Sequence, residues 1–381
     1  MEFKGFKNSN VYVFGQGIVK TNVNVEEGKI KDFSQAEGQI ELDDKYIVVP
    51  GFIDKHIHGA NNSDTMYPTL EDIRNISKTV ASEGVSTYLP TTMTQTMENI
   101  DKALANVREY MEKENDKGAY VLGVHLEGPF ISKKFKGAQV EECIVDCDIE
   151  SFKHYQEVSG NNIRVVSMAY EENGKELANY LYENGIVASI GHTNATAAQV
   201  MDGAKNGITS ATHTYNAMKG LHHREAGTVG GVMLSDSIYS ELIADLVHVC
   251  AESIQLLYKV KGQDRICLIT DGIEAKHLPD GMYKLGGQDV VVKGKEARLV
   301  DGTLAGSTLK MNDAIRNIIQ VLNIDLPKAI DLATINPAKN LLIDKTKGSI
   351  EAGKDADFAV IDKDLNVYMT VSNGKVVYNK L

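Results

Sequence analysis

From residue 47 to residue 270, short apolar runs alternate with longer stretches of helical periodicity, and no other feature of the sequence restricts the fold as much. The runs predict strands over 47–53, 84–91, 120–127, 163–168, 186–191, 208–212, 240–248 and 265–270. Between them, 70–83, 97–115, 174–184, 195–206 and 251–261 read as helices. A strand that is followed by a helix before the next strand pairs with it in parallel, because a parallel crossover needs that length of chain. Eight such strands predict a (β/α)8 TIM barrel. A doubly wound open sheet competes, but no Gly-rich dinucleotide fingerprint follows the first strand. The 381 residues, 43% of them hydrophobic, leave room for a barrel of about 250 residues and one smaller domain.

The two ends break the alternation in the same way. Asn10–Phe14, Ile18-Val19 and Val23–Val25 read as short strands before the turn at Glu27-Gly28-Lys29, and Phe358–Asp362, Val367–Val371 and Lys375–Tyr378 read likewise, the last two joined by an Asn373-Gly374 hairpin turn. Neither end has strands enough for a stable sheet of its own. Together they predict one small β-sandwich, from 1–49 plus 345–381, flanking a barrel over 50–344. The Gly-rich turns around Val290-Val291-Val292 predict a β-hairpin inserted at 282–303, before the last helix.

A formal net charge of −12 argues against nucleic acid or an anionic membrane as the main partner. An anionic substrate must then be drawn in locally, by a metal or a placed arginine. The first residues start no apolar core region of a signal peptide, and no apolar run approaches the ~18 residues that span a bilayer. Cys143, Cys147, Cys250 and Cys267 follow no disulfide or zinc-knuckle spacing, so reduced thiols and a cytoplasmic setting are expected.

Barrel active sites lie where the strands end. The first strand runs into Lys55-His56-Ile57-His58, and two histidines two apart on extended chain point to the same side. Glu127 ends the third strand, His192 the fifth, His213 the sixth and Asp271 the eighth. In a closed barrel these six groups meet around the axis as nitrogen and oxygen ligands suited to Zn, Fe, Mn or Co. Taken singly, a strand-end histidine is more often a hydrogen-bonded structural residue; the agreement of independent strands is what favours a metal centre. His125 shares the face of Glu127 but lies a layer deeper, as a buried hydrogen-bonded residue, and His154 and His277 read as surface residues.

Two segments, Pro50–Gly59 and Ser349–Asp357, resemble the opening and closing signatures of the amidohydrolase superfamily. Within it, His125–Phe130, Gly191–Ala195, His213–Met218, His222–Glu225 and Leu304–Ser307 resemble the N-acetylglucosamine-6-phosphate deacetylases, in order along the whole chain. The resemblance implies that Glu127, His192 and His213 hold a divalent metal. With His56 and His58 present there is room for a second one bridged by Glu127. A lysine at the end of the fourth strand, a bridging ligand in cyclic-amide hydrolases, is absent from Val165–Ala169.

The same resemblance implies that Asp271 is the catalytic acid and base, that His248 hydrogen-bonds the scissile carbonyl, and that Ala138, Gln139, Leu304, Ala305 and Gly306 contact the sugar. Asn216 and Ala217 are expected to offer backbone N–H groups to the phosphate. Arg224, helped by His222 and His223, is expected to grip it from the neighbouring subunit of a homodimer. Ala226, where relatives often carry proline, and Tyr215 depart from the pattern without removing a functional group. Deacetylation of the galactosamine isomer, cyclic-amide hydrolysis and metal-free binding are the competing readings.

Overall fold

The computed structural model describes residues 3–381. Eight parallel strands carry the molecule: Phe52–Ile57, Val85–Pro90, Val124–Glu127, Ile163–Met168, Val187–Ile190, Ile208–Ala211, Tyr239–Ile243 and Ile266–Ile269. The third to eighth form one six-stranded parallel sheet in sequence order, and the first two pair in a second sheet. Single parallel bridges join the two sheets at both edges, Thr91 to His125 and Ile57 to Gly272. The sheet therefore curls until each strand has two neighbours. A helix follows every strand, from Leu70–Ala81 after the first to Met311–Leu322 after the eighth. Leu70–Ala81 shows why: Thr69 caps it by accepting the Asp72 N–H, acidic residues occupy the first turn, and Ile73, Ile76, Ser77, Val80 and Ala81 recur on the one face that packs inward.

Three predicted strands are divided or shortened. The 47–53 run is two strands: Ile47–Pro50 belongs to the terminal sheet and Phe52–Ile57 to the parallel one. Gly51 is the crossing point, where a Cβ would lie 2.4 Å from Ser86 Cβ, so an apolar run continuous in sequence serves two sheets. The 120–127 run breaks at Gly123 into Tyr120–Val121, paired with the second strand, and Val124–Glu127, paired with the fourth. The 240–248 run stops at Ile243 because Asp245 accepts the Val247 and His248 N–H groups and turns the chain.

The two chain ends do come together, their strands hydrogen-bonded into one eight-stranded mixed sheet. Ile47–Pro50 makes the difference, since it pairs in parallel with Gly5–Val13 and antiparallel with Phe358–Ile361 and joins both ends into one ladder. The 282–303 insertion is a three-stranded antiparallel meander, Gly281–Leu285, Gln288–Lys293 and Glu296–Leu299, not a hairpin. Leu285, Val290, Val292 and Ala297 seat it on Met93 and Ile273. No helix of the described residues is long and apolar enough to cross a membrane, and all four cysteines are free.

Candidate metal centre and substrate cavity

The ends of the first, third, fifth, sixth and eighth parallel strands bring His56, His58, Glu127, His192, His213 and Asp271 into one buried cluster. Glu127 is its hub. Its Oε1 lies 3.3 Å from His192 Nε2, 3.1 Å from His213 Nε2 and 3.4 Å from His56 Nε2, while its Oε2 lies 3.2 Å from His58 Nε2. Asp271 Oδ1 closes the other side, 3.3 Å from His56 Nε2 and 3.1 Å from His58 Nε2. Within this cluster the ligand atoms form two sets within one cation's reach, Glu127–His192–His213 and His56–His58–Asp271, and His56 is shared with a third, His56–His125–Glu241.

The rings are held from behind with Nε2 facing inward. His192 Nδ1 donates to Phe135 O at 3.0 Å, His58 Nδ1 to Thr91 O at 3.2 Å, and His56 Nδ1 faces Glu241 Oε2 at 3.1 Å. Their Nε2 lone pairs are thus free for a cation. His192 Nε2 and His213 Nε2 face each other across 3.1 Å, and the buried His56 Nε2 and His213 Nδ1 have no hydrogen-bond partner. Buried lone pairs facing one another repel unless a positive charge lies between them. Charge agrees: against the lowering effect of burial, Asp271 and Glu127 raise the pKa of His58 to about 9, so the carboxylates hold a positive charge at this point, a proton that a metal would displace. The donor set fits a divalent metal.

Glu241 and Lys55 were not singled out from sequence. Glu241 also accepts the His213 N–H at 3.2 Å, and Lys55 Nζ, fully buried, neutralises its other oxygen at 2.9 Å while bonding Ser210 Oγ at 3.0 Å. Lys55 stands between Asp54 and His56; charged residues in a strand that a parallel sheet buries on both faces were the one available signal. His125 is the buried hydrogen-bonded residue expected, with Nδ1 on Lys55 O and Nε2 on Ser167 Oγ. Burial and the neighbouring His56 push its pKa down to about 3, so it is neutral. His154 and His277 lie at the surface against Asp101 and Glu83. The backbone at the site is strained as well. His192, His213, Tyr215, Ala217 and Asp271 all have positive φ, from 29° to 83°, a conformation costly for residues with a Cβ.

A cavity of about 200 Å³ opens on the cluster, and His58, Glu127, His192, His213 and Asp271 form its floor. Ala138, Gln139, Asn216, Ala217, His248, Leu304 and Gly306 line it, as expected. Met93, Gly137, Leu285 and Thr303 line it without having been singled out. Leu285 and Thr303 arrive with the meander. Gly137 (φ +56°) passes so close that a Cβ would meet His192 Cε1 at 3.3 Å.

Three expectations change in detail. Ala305 is fully buried in the apolar cluster beneath the meander, and its neighbours reach the cavity in its place. Gln139 is tied by its side chain, accepting the Thr94 N–H at 2.7 Å and donating to Glu127 Oε2 at 2.9 Å, so it braces the metal-site carboxylate. Asn216 spends its backbone N–H on His213 O at 2.9 Å; Ala217 is the one of the pair whose amide has no hydrogen bond among the described residues. Arg224 lies exposed, its guanidinium 2.8 Å from His223 Nε2, outside the cavity of its own chain.

The model of the amidohydrolase family matches residues 47–377. The chain is 40% identical to the N-acetylglucosamine-6-phosphate deacetylase of Bacillus subtilis over 93% of its own length and 92% of the relative's. It is 34% identical to the N-acetylgalactosamine-6-phosphate deacetylase of Escherichia coli O157:H7, over 87% and 88%. The crystal structure of the Thermotoga maritima N-acetylglucosamine-6-phosphate deacetylase superposes with a TM-score of 0.90 at 36% identity, covering 99% of this chain and all of that one. The buried cluster at the strand ends thus lies within a framework shared along nearly the whole length, and the chain belongs to the amidohydrolase family, on its N-acetylglucosamine-6-phosphate deacetylase branch.

Proposed function

We propose that this protein hydrolyses the acetamide of N-acetyl-D-glucosamine 6-phosphate to D-glucosamine 6-phosphate and acetate, with one or two divalent ions (Zn, Fe, Mn or Co) held by Glu127, His192 and His213 and by His56 and His58. The observation that carries this reading is the convergence of four inward-facing ligands, His58, Glu127, His192 and His213, and of Asp271 on the floor of one cavity, with His56 against Glu127 and Asp271. The eight parallel strands are taken as a closed (β/α)8 barrel over 50–344, and 1–49 with 345–381 as a small terminal domain. The absence of a disulfide suits a cytoplasmic setting.

A divalent cation supplies Lewis acidity and makes hydroxide available near neutral pH. Asp271, aimed into the centre, takes the proton from the attacking water and returns it to the departing nitrogen, which leaves poorly unless protonated. His248 hydrogen-bonds the scissile carbonyl. Leu304 and Gly306 shape the sugar's seat, and the Gly306-Ser307 turn is tied to Asp271 O through the Ser307 N–H at 2.8 Å, so seat and proton carrier move together. The phosphate projects to the Ala217 N–H and to Arg224 of a second subunit, whose planar fork matches phosphate oxygens. The exposure of Arg224 outside its own cavity supports that route.

The galactosamine isomer is the second reading, favoured by the 34% identity to the E. coli enzyme named for it; it differs at one hydroxyl, and steady-state assays on both sugars separate the two. The phosphate arm decides the rest. Arg224→Ala weakens the phosphorylated sugar by about 2–5 kcal/mol, the cost of an unpaired charged partner, chiefly in KM. The unphosphorylated N-acetyl sugar is a poor substrate and indifferent to the change. Equal losses on both sugars would show that Arg224 does not read phosphate. Mixed dimers of Arg224→Ala and Asp271→Asn subunits regain activity, because one site in each is intact; mixtures as inactive as their parents would rule out the shared site.

A further inference from the structure

His248 is not held by chance. Beyond the seventh parallel strand the chain turns through Asp245 and Leu246, the latter at φ +66°. Asp245 is buried, and both its oxygens are committed within that turn. Oδ1 accepts the Val247 N–H and the His248 N–H, each at 2.9 Å, and Oδ2 lies 2.7 Å from His248 Nδ1. The carboxylate therefore fixes the backbone on which His248 stands and the ring itself. With Nδ1 bonded behind, the other end of the ring is what meets the cavity that His248 lines together with Asp271.

A histidine can polarise a carbonyl oxygen only as a hydrogen-bond donor, so Nε2 must carry a proton. Nδ1 carries one too, since it faces a carboxylate. An imidazole that donates from both nitrogens is cationic, and the charge needs a fixed counter-ion. Asp245 is that ion. Asp271, facing from the eighth strand's end, acts in the same sense, and Arg298 of the meander acts against it. Burial is the largest single influence and disfavours the charged ring, yet the hydrogen bond and charge of Asp245 together with Asp271 outweigh it, and the pKa of His248 lies above the ordinary histidine value.

We infer that Asp245 is a positioning residue of the reaction: it sets the orientation of His248 and keeps it a donor at both nitrogens, so that Nε2–H is presented to the substrate carbonyl. The inference rests on the deacetylase reading of the cavity. It adds a residue that touches no substrate and acts through another. A neutral His248 with only Nδ1 protonated would offer the carbonyl a lone pair and repel it.

The test is Asp245→Asn in the metal-loaded full-length enzyme. The amide oxygen still accepts from Val247 and His248, so the turn survives, while the NH2 group now meets Nδ1 and removes its proton. Ring 15N shifts of His248 at neutral pH are expected to show two protonated nitrogens in the wild type and one in the variant. Metal content stays the same, and kcat/KM falls at least ~10-fold, the scale on which partners that orient a histidine act. In a His248→Ala background the same substitution costs nothing further, because the two residues act as one unit. If the Asn variant does not fold, the wild-type spectrum alone decides. A wild-type His248 with a single protonated nitrogen overturns the inference, and so does an equal loss in kcat/KM with or without His248. A wild type that releases no acetate from the phosphorylated sugar instead sinks the deacetylase reading, and the 15N shifts still report on the contact.

Discussion

In the terminal sheet, Phe6 and Phe358 meet edge to face at 5.5 Å, with Phe3 against both, and Val11, Val23, Ile30, Val48 and Val360 fill the space around them. At the C-terminal ends of the parallel strands the equally buried side chains are His56, His58, Glu127, His192, His213 and Asp271. One region is stabilised by what it removes from water. The other buries charge and lone pairs that only a cation can satisfy. Among the described residues, every buried side-chain polar atom without a hydrogen-bond partner lies between residues 56 and 312, and none belongs to the terminal sheet. The non-glycine residues with positive φ in the sheet, such as Asn8, Glu27 and Asn373, interrupt or connect strands, whereas His192, His213 and Asp271 are themselves the functional groups. The sheet stabilises; the strand ends store the cost of function.

If that contrast holds, the two regions fail differently, and the sharpest break comes from His192→Ala. Loss of one of the Glu127–His192–His213 ligands is expected to remove bound metal, read by elemental analysis, and to take activity to background with it, while the fold persists. Full activity after exhaustive chelation would end the metal reading. Asp271→Asn comes next. The variant keeps substrate binding and loses at least ~10²-fold in kcat, the usual contribution of a general acid and base; an unchanged kcat takes Asp271 out of the chemistry.

The terminal sheet gives the opposite result. Phe358→Ala is expected to lower stability by about 3–5 kcal/mol, as large-to-small changes in a packed core do, visible as a drop in denaturation midpoint, with kcat per folded molecule unchanged. A matching fall in kcat would mean that sheet and site are mechanically coupled.

The smallest effect lies where the terminal sheet meets the helices outside the site. Tyr12 of the sheet donates to Asp331 Oδ1 at 2.7 Å from a helix that follows the last parallel strand. Burial raises the Asp331 carboxyl to about 6 despite that bond. A folded-state pKa above the unfolded value favours folding in the protonated state, and this contribution is lost as pH rises through the window from about 4 to about 6. Asp331→Asn removes the titration and keeps an acceptor for Tyr12. Relative to wild type, the variant gains about 1 kcal/mol across that window, after allowance for solvent screening. A stability difference that does not change between pH 4 and pH 7 would contradict this.

Much of the architecture was legible because it is local. Apolar runs of strand length, helical periodicity between them and the i, i+2 spacing of His56 and His58 are properties of neighbouring residues, and they predicted eight parallel strands with ligands at their ends. The motif strings carried the family. Other features were hidden because one local pattern served two ends. Ile47–Ile53 is a single apolar run, yet Gly51 passes it from one sheet to another. Val290–Val292 signalled strand but not how many partners it has.

What the sequence determined by itself is the set of groups, their order and the strand ends on which they stand, since side-chain direction follows from backbone period alone. Only the tertiary structure decided which groups answer one another. Glu241 holds His56 from 185 residues away, Lys55 neutralises Glu241 beneath the cluster, and Gln139 braces Glu127 rather than simply facing the sugar. Such partners are chosen by where the curled sheet and the loops on it bring the chain back, and a buried charge accepts whatever partner that geometry supplies because the alternative is to stand unpaired.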